Sequence, residues 1–291
     1  MYRIAILGCE NSHADNFLTF ILKENKYPDV EVVGVYTDEE DANERMRNNF
    51  GVYCAKSYDE FVGKVDGIVI TARDGKNHYK YAKPYIASGI PMFIDKPIAC
   101  DEDEAVKFMK ELKVAGCRVT GGSMCIYAPI VNELKKIVEN QTHGKTYGGY
   151  LRAPVNMNNA YGNFFFYSQH LAEVTQKIFG YYPKSVRSNI NGTVNTVTVK
   201  YDDYNVNMAY CDGNGLYYAS VSAEKKFVGD QLVINTNILA VNEFDAFYSL
   251  LKGNEQTISY KDFIAPVFLL TAIDRSIRSG EEEKVNEIED I

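Results

Sequence analysis

Arg3-Ile4-Ala5-Ile6-Leu7-Gly8-Cys9-Glu10-Asn11-Ser12-His13 reads as a buried strand that stops at a glycine and passes into a polar helix start. Four more short apolar runs follow, at residues 31–36, 67–71, 91–94 and 118–121. Between the runs, residues 14–24, 39–50, 78–88 and 102–115 carry apolar side chains near helical spacing. Asp101 with Glu104 forms a capping-box-like start, and Gly89 and Gly116 sit where helices stop. Fully apolar strands alternating with helices predict a parallel sheet covered on both faces, a doubly wound α/β fold. Ligands of such sheets bind beyond the carboxyl ends of the strands. The positions to watch are therefore Gly8 to His13, Thr37-Asp38, Thr71 to Asp74 and Asp95-Lys96-Pro97.

After Gly121-Gly122 the pattern changes. A helix over 128–140 leads to a strand near 148–155, an asparagine-rich stretch, and a helix over about 168–179. Alternating strands follow, with Val197, Val199 and Tyr201 on one face and Thr196, Thr198 and Lys200 on the other. This reads as an α+β unit with a largely antiparallel sheet and helices on one face. The expected division is residues 1–122 and 123–291, in keeping with ~150 residues per domain. The tail from Glu281 is acidic and reads as a frayed, solvated end.

A net charge of −8 without a basic tract argues against nucleic-acid or anionic-membrane partners. No apolar run approaches the ~20 residues that span a bilayer. The apolar N-terminal run is too short for a signal peptide. Six cysteines without a C-x-x-C pair give neither a disulfide framework nor a metal site, so a reducing, cytoplasmic setting is expected. The 22 tyrosines fit either a polar-aromatic pocket or scattered core and surface positions.

Each candidate residue has a plain reading beside a chemical one. A dinucleotide fingerprint G-x-G-x-x-G needs its second glycine for close approach to the pyrophosphate and its third for helix–strand packing. Here only Gly8 remains, with Glu10 and His13 in the other places. A carboxylate ~5 Å from a pyrophosphate costs roughly 3 kcal/mol at an effective dielectric of ~20, so Glu10 must turn away if a dinucleotide binds. Ser12 can cap the helix, and Asn11, Ser12 and His13 place donors at its start; the same residues also make an ordinary polar helix start. Thr37 and Asp38 end the second strand, where an acid would hold a ribose diol and repel a 2′-phosphate. Thr71 and His78 flank the third strand-end turn. Lys96, fixed between Asp95 and Pro97, can stabilise an alkoxide, or be a solvated surface lysine. His170 can take a hydroxyl proton near neutral pH, with Glu173 on the same helical face to orient the ring, or be a buried structural histidine.

Taken together, these pieces resemble the glucose–fructose oxidoreductase / inositol dehydrogenase (Gfo/Idh/MocA) family over nearly the whole chain. Gly89-Ile90-Pro91-Met92-Phe93-Ile94-Asp95-Lys96-Pro97 is similar to its G-x-x-V-x-x-E-K-P signature, with Asp for Glu. His78 resembles the histidine that begins the preceding helix, Tyr127-Ala128-Pro129 its R-[FY]-x-P, and His170 with Glu173 its H-x-x-D helix. The resemblance implies an N-terminal Rossmann-type doubly wound sheet that holds NAD, in preference to NADP, and a C-terminal substrate-binding unit. It implies an oxidoreductase that interconverts a secondary alcohol and a ketone on a sugar, cyclitol or related polar molecule. Lys96 would polarise the reacting oxygen and His170 would move the proton. Gly8, Asn11, Ser12, His13, Thr37, Asp38, Thr71, His78 and Lys96 would face cofactor. Tyr127, Asn158, Tyr161 and Tyr167 would face substrate. A homodimer or homotetramer through the open face of the second sheet is expected. This sequence departs from the family at Phe166, where an acid is usual, at Ser168 and Ile126, and at two fingerprint glycines. Those departures keep a second expectation alive, a ligand-binding or regulatory protein on the same scaffold.

Overall fold

Strands β1 (Tyr2–Leu7), β2 (Val30–Tyr36), β3 (Gly67–Ile70), β4 (Met92–Asp95) and β5 (Val119–Gly122) pair in parallel, in the order β2-β1-β3-β4-β5. This computed structural model describes residues 1–291. The central strands β3 and β4 are buried at every position, as a sheet covered on both faces requires. The helices between them are α1 (Ser12–Leu18, prolonged by a π-helical turn over Thr19–Lys23), α2 (Glu40–Phe50), α3 (Lys76–Ile86) and α4 (Glu102–Ala115). Helix α4 starts where Asp101 accepts the Glu104 amide at 2.8 Å and stops at left-handed Gly116, as its sequence predicts. The cap of α1 is Asn11, whose side chain accepts the His13 amide, rather than Ser12.

Strand order reverses between β1 and β3, so the switch-point crevice lies between the turn after Leu7 and the turn after Ile70. The two turns touch. A Cβ on Gly8 would lie 2.3 Å from the Ala72 nitrogen, and Gly8 also has φ of +84°. Glycine is required there by the neighbouring turn.

The second sheet runs β11-β10-β6-β9-β8-β7-β12, using β6 (Thr146–Val155), β7 (Ser185–Asn191), β8 (Val194–Lys200), β9 (Asn205–Asp212), β10 (Tyr217–Ala223), β11 (Phe227–Leu232) and β12 (Glu282–Lys284). It is antiparallel except for β6 beside β9. Helices α5 (Pro129–Glu139), α6 (Phe165–Phe179) and α8 (Tyr260–Ser279) pack on it, while α7 (Thr236–Leu251) returns to the first sheet. There Phe244 and Phe247 pack against Phe17 and Phe93, and Tyr27 bonds Asp245 across the junction. The two sheets are thereby locked through a shared helical layer.

The acidic tail is ordered, contrary to the frayed end expected from its charge. Its strand β12 pairs with β7, Val285 and Ile288 are buried, and Lys113 holds the Ile291 carbonyl. Two apolar side chains among the acids anchor it.

Candidate active site

Lys96 leaves the end of β4 with only 4% of its surface exposed, and His170 sits on α6 with 3% exposed. One tyrosine packs against both: the Tyr167 ring centre is 5.6 Å from Lys96 Nζ and 4.9 Å from the His170 ring. Tyr167 therefore links the two side chains. Phe166, at the position where an acid is expected, lies 5.0 Å under the Lys96 ammonium. Two aromatic faces thus hold the charge, an interaction of ~2 kcal/mol when desolvated. Tyr161 packs on Phe166 at 5.2 Å, and Tyr217 closes the far side of His170 at 6.4 Å.

Glu173 does not orient His170. Its carboxylate accepts the Ser123 amide at 2.9 Å and the Gln169 side-chain amide. The histidine Nδ1 instead lies 2.6 Å from Ser123 Oγ, which also accepts the Cys125 amide. Ser123 therefore fixes the ring from behind and leaves Nε2 for chemistry. Burial, helped by Lys96 and His13, holds the His170 pKa well below 6.5, so the ring is neutral at pH 7. Sequence gave no sign of Ser123, because the contact joins residues 47 positions apart.

Burial pushes the Glu173 carboxyl up to about 7 from its ordinary 4.5. A carboxyl whose folded pKa is raised contributes its stability below pH 4.5 and loses it as pH climbs through 7. Replacing Glu173 with Gln removes that loss. The variant should gain on the wild type by about 3 kcal/mol between pH 4.5 and 7.5 in urea unfolding. Parallel pH profiles would show that the buried carboxyl does not titrate there.

Behind Lys96 lies a second polar cluster. Asp95 accepts the Lys96 amide at 2.7 Å and Asn11 Nδ2 at 3.0 Å. His13 Nδ1 is 3.0 Å from the same carboxylate. Burial opposes ionisation of Asp95, but His13, Lys96 and His78 together hold its pKa below the usual range. Glu243, from α7, is fully buried with both oxygens unpartnered, 3.8 Å from His13 Nδ1. Burial, reinforced by Asp95 and Glu173, raises its pKa well above the ordinary value, which keeps it neutral.

The cofactor-side candidates divide. Glu10 turns inward, accepting Thr37 Oγ1 at 2.7 Å and the Arg73 amide at 3.0 Å, which meets the condition for a dinucleotide at this turn. Thr37 is committed to that bond, Thr71 Oγ1 to the Gly8 carbonyl, and Asn11 and His13 to the cluster behind Lys96. Ser12 and Asp38 face solvent at the crevice. Asp38 is held there by the hydroxyls of Tyr36 and Tyr81. His78 is wholly buried with Nε2 2.9 Å from the Ala72 carbonyl, so it shapes the turn and presents no atom to a ligand. Of the residues expected to face substrate, Tyr167 packs against Lys96 and His170, and Tyr161 reaches them through Phe166. Asn158 is on the exposed loop before α6. Tyr127 instead lines a 120 Å³ cavity with Glu173, Lys177 and Asp262, bordered by neither Lys96 nor His170.

Residues 2–123 match the sequence family Gfo/Idh/MocA, described as an oxidoreductase family with an NAD-binding Rossmann fold. A sequence search of curated proteins found no match. Among solved structures, scyllo-inositol dehydrogenase from Lactobacillus casei with bound NAD(H) and scyllo-inositol superposes with a TM-score of 0.85 at 13% identity, over 98% of this chain and 99% of that one. GenD2 from gentamicin A biosynthesis, in complex with NAD, gives 0.84 at 15% identity, over 98% and 97%. A myo-inositol dehydrogenase from Corynebacterium glutamicum gives 0.81 at 16% identity, over 99% of both chains. At these identities the likeness is one of fold. That likeness covers both sheets of this chain. No helix is long and apolar enough to cross a membrane.

Proposed function

We propose that this chain is an NAD-dependent oxidoreductase of the Gfo/Idh/MocA kind that interconverts a secondary alcohol and a ketone on a small polar molecule of the sugar or cyclitol class. The observation that carries the reading is the shared packing of Lys96 and neutral His170 against Tyr167, at the carboxyl edge of the parallel sheet. In this reading residues 1–122 hold the dinucleotide and 123–291 supply the substrate side. NAD fits the turn because Glu10 is withdrawn, and exposed Asp38 stands where a ribose diol would lie. Bound nicotinamide supplies the acceptor or donor of hydride.

The chain's own residues position and move protons. Lys96 donates to the reacting oxygen and stabilises its negative charge in a water-poor, aromatic-walled site. His170 Nε2 takes the hydroxyl proton in oxidation and returns it in reduction, while Ser123 holds Nδ1. Phe166 removes one polar contact and leaves the base in place. The reading includes a cytoplasmic homo-oligomer joined through the second sheet, where Tyr147, Tyr150 and Phe227 are exposed.

A thermal-shift comparison of NAD, NADH, NADP and NADPH tests it. At 100 times its dissociation constant, NAD or NADH should stabilise the fold by ~2.7 kcal/mol, with the phosphorylated pair weaker. No response to any of the four would favour a ligand-binding protein without redox chemistry.

A further inference from the structure

Arg73 follows β3 at the switch point and joins three parts of the crevice. Its Nη2 donates to the Glu10 carbonyl, in the turn where the second fingerprint glycine is missing. Its Nη1 donates to Tyr161 Oη at 3.1 Å, and the guanidinium lies 5.5 Å from that ring. Glu39 approaches the same nitrogen at 3.8 Å. A guanidinium carries five N–H donors in a planar fork, and two are committed here to hydrogen bonds. The side chain keeps 31% exposure at the switch point. Arg45, the other cation at the turn, is committed to Asp15 and to the Cys9 and Glu10 carbonyls.

A pyrophosphate in a doubly wound fold lies against the first turn, where a glycine normally permits close backbone approach. Glu10 puts a side chain where that glycine has none, with its carboxylate turned away to Thr37 and the Arg73 amide, and the cation nearest its carbonyl has a geometry suited to paired phosphate oxygens. Across the crevice, Tyr161 packs on Phe166, which packs on Lys96. We propose that Arg73 is the phosphate-binding residue of the first turn, and that its bond to Tyr161 ties the 156–163 loop over the reaction centre to cofactor occupancy. The inference rests on the NAD reading above and adds a residue to it.

The test is NADH binding by fluorescence titration, together with the rate of proteolytic cleavage within residues 156–163. Arg73→Gln should weaken NADH binding about 10- to 100-fold and flatten its dependence on salt, with Arg73→Lys between it and the wild type. Circular dichroism of the cofactor-free variants separates misfolding from lost contact. NADH should slow cleavage of the wild-type loop. Tyr161→Phe should bind NADH within about twofold of wild type yet lose that protection, because only the link to the loop is cut. Wild-type affinity in a folded Arg73→Gln variant overturns the phosphate role. Full NADH protection in Tyr161→Phe overturns the coupling. Absence of NADH binding by the wild type instead removes the NAD reading, and this inference with it.

Discussion

Replacing Lys96 with methionine should lower kcat/KM by about a thousandfold, roughly 4 kcal/mol of transition-state stabilisation, in steady-state assays with the best sugar or cyclitol substrate. Methionine keeps an unbranched stem that can lie between Phe166 and Tyr167, so the loss reports the missing ammonium and not a hole in the packing. A lysine that only filled this aromatic niche would leave turnover within a few-fold of wild type. The burial of Lys96 gives the substitution its force. Water competes little for the charge at 4% exposure, and a developing alkoxide would find its nearest cation already oriented.

His170→Asn should cost about 10²- to 10⁴-fold in kcat, and its pH dependence distinguishes a proton carrier from a structural residue. Because burial keeps the wild-type ring neutral down to well below pH 6.5, the acid limb of kcat/KM for alcohol oxidation should fall below that pH. In the variant that limb should disappear. The same depressed pKa links to stability with the opposite sign from Glu173. The neutral ring's contribution is fully present above pH 6.5 and is lost as pH falls toward the folded value. A wild-type rate profile that declines from pH 7.5 downward would contradict a neutral, ready base at this position.

The parallel sheet was readable because β1, β3 and β4 are largely apolar runs between segments of helical spacing, and because the Asp101 side chain and the left-handed Gly116 backbone mark both ends of α4 locally. Locality also explains what was hidden. Helix α8 contains the run Phe263 to Leu270, buried between layers on several sides, and such a run carries no helical stripe to separate it from a strand. Helix α7 is likewise apolar on more than one side, and its return to the first sheet is set by Phe244 and Phe247 meeting Phe17 and Phe93. The parallel pairing of β6 with β9 joins segments separated by three elements and leaves no short-range mark.

Among site residues, Lys96 and His170 could be singled out by position after a strand and on a helix. Their supports could not. Ser123, Arg73 and Glu243 act through contacts between segments distant in the chain, and each alone reads as an ordinary turn or helix residue. Phe166 shows the limit from the other direction. Its sequence position suggested a lost polar contact, whereas the fold gives it a positive task as a wall for the Lys96 charge.

A crystal structure of the protein soaked with NAD tests the central claim most directly. The account predicts density for the dinucleotide along the switch-point crevice, with its nicotinamide ring reaching the space bounded by Lys96 Nζ and His170 Nε2. A ring lodged elsewhere, or an ammonium and imidazole opening onto separate surfaces once the crevice is filled, would contradict it.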